Sequence, residues 1–222
     1  MIKPIVNYIL WLMGIRKILP QKFVNRVVVE ENREGLVQVC ETARLKISKY
    51  YPGIPKLRKE VVRRLATVAD SLPNEYLIIL AEGFRSLERQ KELWNEQYAK
   101  IEGENPELSS SEIDRRTRLF VAKPVNGYGG HQTGGAVDVT LGDKNSKELF
   151  LGTKMHECSS KTVIDSKGIS SEAKNLRAIL LEAMRSAGFV NYPGEWWHFS
   201  YGDRLWAAYS CFKKCQYGPV RE

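Results

Sequence analysis

Two histidines and an aspartate define the chemistry to look for. His131 and Asp138 stand seven residues apart, with glycines at 127, 129, 130, 134 and 135 around the histidine. Glycine lets a backbone turn tightly and approach a ligand closely. From Ala136 to Leu141 the chain alternates as a half-buried strand does: Val137, Val139 and Leu141 point one way, and Ala136, Asp138 and Thr140 the other. Asp138 is thereby expected to face a cleft or solvent, where an imidazole one short loop upstream can meet it. An imidazole nitrogen and a carboxylate oxygen converging in this way suit zinc, but two ligands do not complete a site. The third comes from Glu195-Trp196-Trp197-His198, which follows the turn residues Pro193-Gly194 and leads into a strand-like Phe199 to Tyr201. His198 supplies the second nitrogen. Glu195 lies near enough to sit beside the metal without binding it, the place of a general base for a water that the metal activates. Three protein ligands and one open position describe a catalytic rather than a structural zinc.

Taken together, His131-x-x-Gly134-x-Ala136-x-Asp138 and Glu195-x-x-His198 resemble the motifs of the zinc D-alanyl-D-alanine peptidases, in particular the dipeptidases of the vancomycin-resistance type. Glu82-Gly83-Phe84-Arg85-Ser86 is similar to that family's strand-end arginine motif, and Leu151-Gly152-Thr153 to its Met-Gly-Thr segment. The resemblance runs from about Val29 to Ala208. It implies one zinc on His131, Asp138 and His198, Glu195 as the base, Arg85 as a stabiliser of transition-state charge, and a D-amino-acid-containing cell-wall peptide as substrate. Two positions depart from the family. Gly129 stands where it has a serine that helps hold the substrate's carboxylate. His156 stands where it has an aspartate that helps hold the free amino terminus. Gly129, His156 and Trp197 are therefore the expected substrate contacts, with one ring of Trp196-Trp197 packed inward and the other walling the cleft. The alternatives are a D,D-carboxypeptidase or wall-lytic endopeptidase of the same family and, from another class, a zinc-stabilised binding module without turnover.

Composition bounds these readings. The 222 residues carry a net charge of +8, but residues 1–70 hold fourteen basic against six acidic side chains and the remainder twenty of each. A neutral catalytic half argues against a nucleic-acid groove at the site. The four cysteines, Cys40, Cys158, Cys211 and Cys215, fit neither a zinc knuckle nor a dense disulfide framework. Cys211 and Cys215, four apart, can share a helix face. Residues 1–28 contain five basic residues and no acid around an apolar run too short to span a bilayer. Ile2, Val6, Ile9 and Met13 fall on one helical face, with Lys3, Asn7 and Gly14 opposite. The segment reads either as an amphipathic extension lying on an anionic membrane or as a helix packed on the domain. The expected division is thus 1–28 as the extension and 29–222 as the peptidase-like domain. The resemblance to the dipeptidases implies the cytoplasm, including its membrane surface, and no convincing cleavage site follows the apolar run; export is the alternative.

The remaining pattern supplies the scaffold. Val61, Val62, Leu65, Val68 and Ala69 space as a helix, and Tyr76 to Ala81 is an apolar β-prone run. Ser86 is an N-cap before a helix whose core face carries Leu87, Trp94 and Tyr98. Ser111-Glu112 opens another, with Ile113, Phe120 and Val121 on its buried face. Ser170 or Ser171 caps a stripe of Leu176, Ile179, Leu180, Ala183, Met184 and Ala187 that Gly188 ends. Helices before and after short strands predict an α+β fold, a single domain with a small, largely antiparallel sheet flanked by helices and the zinc in a cleft at the sheet.

Overall fold

The apolar run at Tyr76 is a strand, and the sheet is built outward from it. The computed structural model describes residues 18–50, 53–124, 129–157 and 159–220. Strands β1 (Val28–Val29), β2 (Leu36–Gln38), β3 (Leu45–Ile47) and β4 (Lys56–Arg58) precede β5 (Tyr76–Glu82). Four more follow: β6 (Ala136–Asp143), β7 (Val190–Asn191), β8 (His198–Ser200) and β9 (Lys214–Cys215). Five form the main sheet in the order β3-β5-β6-β8-β7. Only β3 runs parallel to its neighbour; β5, β6, β8 and β7 are successively antiparallel, as the expected fold class requires. Two smaller ladders, β1 with β9 and β2 with β4, complete the strand pairing among the described residues.

The strands' period-two pattern gives one face to the core. Ile78 and Leu80 of β5, Val137, Val139 and Leu141 of β6 and Phe199 of β8 join the main hydrophobic cluster. Two helices contribute to that cluster: α2 (Lys59–Ser71), through Val61, Leu65 and Val68, and α5 (Ser171–Ser186), through Leu176, Leu180 and Met184. The Ser170 hydroxyl accepts from Ala173 N at 3.1 Å to start α5, and Gly188, at φ +85°, ends it in the left-handed region that glycine adopts without strain. The opposite face of β6 is closed as well, with Ala136, Asp138 and Thr140 no more than 2% exposed. The half-buried strand expected from alternation is thus buried on both sides, and Asp138 faces an interior cleft rather than solvent.

Helix α3 (Leu87–Glu104) begins at Ser86, whose hydroxyl accepts from Arg89 N at 3.1 Å, and buries Gln90, Trp94 and Ile101. Helix α4 (Ser110–Thr117) is capped by Ser109 and buries Ile113, but it ends too early for the face expected of it. Phe120 lies beyond the last turn and is 51% exposed.

Part of the amino-terminal segment packs on the domain, one of the two readings expected of it. Short helix α1 (Gln21–Val24) packs against α6 (Arg204–Tyr209), and Val24 and Val27 are buried. The Leu19 amide donates to Tyr209 Oη at 2.9 Å. The amphipathic face of Ile2, Val6, Ile9 and Met13 lies outside the described residues, as do Gly127 and Cys158. Cys211 sits in a turn at φ +60° and Cys215 is buried on β9, so they do not share a helix face; with Cys40 they are free thiols. Among the described residues, no helix is long and apolar enough to cross a membrane.

Candidate metal centre

Strand register lines up three side chains. Asp138 of β6 is opposite His198 of β8 on one side and Glu82 of β5 on the other. Directly opposed residues share a face, so all three point the same way. Glu82 reaches this row only because the β5–β6 register shifts between Leu80 and Glu82. Without that irregularity the parity of the ladder would turn Glu82 to the core side with Val137.

His131 arrives from the turn just before β6. A single 3₁₀ turn spans His131–Thr133, and Gly134 reverses the chain at φ +69°, where an added Cβ would come within 2.4 Å of Leu36 Cδ2. Buried Arg58 fixes this turn, donating through Nε to Thr133 O at 2.7 Å and through its amide to Gly134 O at 3.0 Å. The imidazole Nδ1 lies 2.8 Å from Gly83 O. A carbonyl only accepts, so Nδ1 donates and the neutral ring keeps its lone pair on Nε2. That nitrogen faces Asp138 Oδ1 at 3.4 Å, while His198 Nδ1 approaches the same oxygen to 2.9 Å. The two rings are 5.0 Å apart, nearly perpendicular. The ligand atoms of His131, Asp138 and His198 all lie within 4.8 Å of one another.

The electrostatics are those of a site built for a cation. Burial alone would raise the Asp138 carboxyl, but His131 and His198 outweigh it and hold it well below the ordinary carboxylate range. Burial would likewise lower His198, yet its hydrogen bond to Asp138, with the Asp138 and Glu195 charges, pushes it up to about 9. In effect a proton sits where a metal would neutralise the same carboxylate. Two imidazole nitrogens and one carboxylate oxygen, converging and sheltered from water, are a donor set that zinc takes with a coordination position to spare.

Glu195 stands in the turn before His198. Asn191 holds that turn, its side-chain amide donating to the carbonyls of Glu195 at 3.0 Å and His198 at 2.9 Å. Burial raises the Glu195 carboxyl above its ordinary value; nearby Asp138 acts in the same direction, and His198, His156 and His131 oppose it. Arg85 reaches the row through Glu82: its Nε donates to Glu82 Oε1 at 2.6 Å, its Nη2 pairs with Glu82 Oε2, and its Nη1 donates to Gln90 Oε1 at 2.7 Å. For Glu82, burial works upward, but His131 and Arg85 prevail and leave the carboxyl lowered. Arg85 is therefore a half-buried, oriented cation paired with Glu82.

The expected substrate contacts are placed less uniformly. Gly129 abuts Gln132, whose Oε1 would be 2.1 Å from an added Cβ. His156 is in the left-handed region at φ +60°, with its ring 5.6 Å from that of Trp197 and its side chain 53% exposed. Trp196 and Trp197 are each only 2% exposed, so neither forms an open wall. Trp196 donates to Thr153 Oγ1 at 2.9 Å, and Trp197 meets the site beside His156. A residue that sequence reasoning missed anchors this region. Buried Arg177 of α5 donates to Leu151 O at 2.8 Å, Val163 O at 2.7 Å and Lys161 O at 3.0 Å, and burial lowers its pKa to about 10. Its place beside the apolar stripe of α5 was the available signal. Asn191 and Glu82 gave less: their roles depend on a turn and a bulge that spacing does not reveal.

Comparison with known proteins identifies the family. The peptidase M15 model, described as D-ala-D-ala dipeptidase, matches residues 58–215. The D-alanyl-D-alanine dipeptidase of Synechocystis sp. is 35% identical over 88 residues, covering 35% of this chain and 36% of that protein. Its Escherichia coli counterpart is 32% identical over 69 residues, 31% of this chain and 36% of that protein. The chain thus spans little more than a third of the length of these relatives. Among solved structures, VanYB in complex with D-alanine-D-alanine is 19% identical, with a TM-score of 0.43 over 74% of this chain and 87% of that one. With more than half of its length matched by the family model, the chain belongs to the D-Ala-D-Ala dipeptidase family of peptidases, M15.

Proposed function

We propose that this protein is a zinc-dependent peptidase that hydrolyses D-alanyl-D-alanine or a related cell-wall peptide. The observation that carries this reading is the convergence of His131, Asp138 and His198 within 4.8 Å, with the raised carboxyl of Glu195 in the same field. Zinc held by those three side chains supplies Lewis acidity, polarising a peptide carbonyl and bringing the pKa of water toward ~7. The chain's own residues do the rest. Glu195 takes the proton of the attacking water and delivers it to the leaving amine, and burial, which raises its carboxyl above the ordinary value, makes it a stronger base than an exposed glutamate. Arg85, oriented by Glu82 and Gln90, offers a fixed positive charge to the carbonyl oxygen as it gains charge. Gly129, His156 and Trp197 border the peptide.

A carboxypeptidase acting on longer peptides is the second reading, and exposed His156 favours it. An imidazole does not neutralise a substrate ammonium as a carboxylate does. A binding module without turnover has no use for a buried base beside the ligands. The proposed setting is the cytoplasm, with residues 1–17 contacting an anionic membrane surface.

The test is Glu195→Gln, assayed for bound zinc and for hydrolysis of a panel of D,D-peptides. Zinc is expected to stay, and turnover to fall by about 10²–10⁴-fold. Near-normal turnover would remove Glu195 from the mechanism. Zinc binding in the wild type without hydrolysis of any peptide in the panel would support the binding module.

A further inference from the structure

Asp138 shows its two carboxylate oxygens to different neighbours. Oδ1 faces His131 Nε2 at 3.4 Å and His198 Nδ1 at 2.9 Å. Oδ2 faces His156 Nε2 at 3.8 Å. Glu82, turned to this face by the irregularity in β5, completes a second group: the ligand atoms of Glu82, Asp138 and His156 also lie within 4.8 Å of one another. We infer that these three side chains form a second, weaker site for a divalent cation such as Zn²⁺, with Asp138 bridging the two metals and the outer metal inhibiting the enzyme. This rests on the reading of His131, Asp138 and His198 as the zinc site.

Three features support it. The donors are one imidazole and two carboxylates, a set that zinc and related transition metals accept. A carboxylate bridging through its two oxygens suits the roughly 3.5–4 Å spacing of paired metal centres. His156 holds its ring toward Oδ2 from a left-handed backbone that side chains other than glycine rarely adopt, and its exposure gives a cation a way in from solvent. Glu82 is engaged by Arg85, but an ionised carboxylate has about four lone-pair positions, and Arg85 occupies one on each oxygen.

Charge orders the two sites. With the first zinc in place, the carboxylates of Asp138, Glu82 and Glu195 are balanced by that dication and Arg85. The second enters a neutral centre next to both a metal and Arg85, so it binds later and less tightly. It also lies beside His156, where the proposed substrate path runs, and so competes with substrate.

The probe is Zn²⁺ alone, titrated into the metal-stripped full-length chain by calorimetry and checked by equilibrium dialysis. Two equivalents are expected, one tight and one weaker. His156→Ala should keep the tight equivalent and lose the weaker one, and with it inhibition by excess zinc. The exposed position of His156 makes this a variant expected to fold, which circular dichroism verifies. A single equivalent in the wild type would overturn the second site alone, as would two unchanged equivalents in His156→Ala. No tight equivalent in the wild type would overturn the primary zinc reading and this inference with it.

Discussion

Asp138 and His156 come within 3.8 Å of each other and are held in opposite ways. Asp138 is on a strand paired on both sides, with its neighbours Glu82 and His198 fixed by register, and it is buried. His156 is on a segment tied down at its ends: Arg177 grips the carbonyls of Leu151, Lys161 and Val163, while His156 itself is exposed. The difference separates two tasks. Two of the three proposed ligands, Asp138 and His198, are on hydrogen-bonded strands, where a slip of one residue would turn them to the wrong face. His156, proposed to help choose among substrates, is on a loop, where it can change without disturbing the ladder.

The sharpest way to break this contrast is to remove the proposed ligands themselves, Asp138 and His198 on their strands and His131 in the turn before β6. His131→Ala, Asp138→Ala and His198→Ala should each weaken zinc binding by more than about 100-fold, since even partners one shell further out commonly cost roughly 10–100-fold. Direct titration with zinc measures this. A full complement of tightly held metal in any one of them would show that these three side chains are not the ligand set.

Proton competition gives the next largest effect. His198 is raised to about 9 when no metal is bound, so its bond to Asp138 stabilises the metal-free protein fully below the ordinary histidine range. That stability is lost as pH rises through about 9. Metal must displace the same proton, so zinc affinity should rise by about tenfold per pH unit from 7 toward 9. Melting temperatures with and without zinc should diverge over the same window. A pH-independent affinity would mean that His198 is neutral before the metal arrives. The raised Glu195 carboxyl should also place the acid limb of activity above the ordinary carboxylate range, because the base works only when deprotonated.

On the loop side the expected change is smaller. His156→Asp introduces one charged hydrogen bond for a substrate ammonium, worth roughly 1.5–3 kcal/mol, or about ten- to a hundredfold. The ratio of catalytic efficiencies for free D-Ala-D-Ala and an N-acylated analogue should move toward the free amine by that factor. An unchanged ratio would place His156 away from the amino-terminal pocket. Least of all should chemistry respond to deletion of residues 1–17. Their three cations are each worth about 1 kcal/mol near an anionic surface, so binding to anionic vesicles should drop while hydrolysis in solution is unchanged. Equal vesicle binding with and without the segment would assign it to the domain instead.

The same contrast marks what could be read from the amino acids. Strand β6 was legible because period-two alternation and a glycine-rich turn are local signals, and helices α2, α3 and α5 because apolar spacing and caps are local too. The partnership of Glu82 with Asp138 was not, since it depends on a one-residue irregularity between strands more than fifty residues apart in sequence. Phe120 was misplaced because α4 stops at Thr117, whose hydroxyl bonds Ile113 O at 2.8 Å, a difference of one turn that spacing does not register. The packing of Val24 and Val27 was illegible for a similar reason: they are buried near α6, almost two hundred residues downstream. Long-range contacts decide these positions, and local periodicity carries no record of them.

One pair of bonds links the two motifs that a sequence shows as unrelated. His131 donates its Nδ1 proton to Gly83 O at 2.8 Å, and the Arg85 amide donates to His131 O at 3.1 Å. The backbone that presents the arginine and the ring that presents a ligand nitrogen therefore share one local frame. For inheritance, this makes the two stretches a single heritable unit: a substitution that shifts Gly83 or Arg85 alters the aim of His131, and compensation has to arise across almost fifty residues of intervening chain. Transplanting the site into another scaffold would require both stretches to travel together, and recombination between them should disable the offspring more often than recombination elsewhere in the chain.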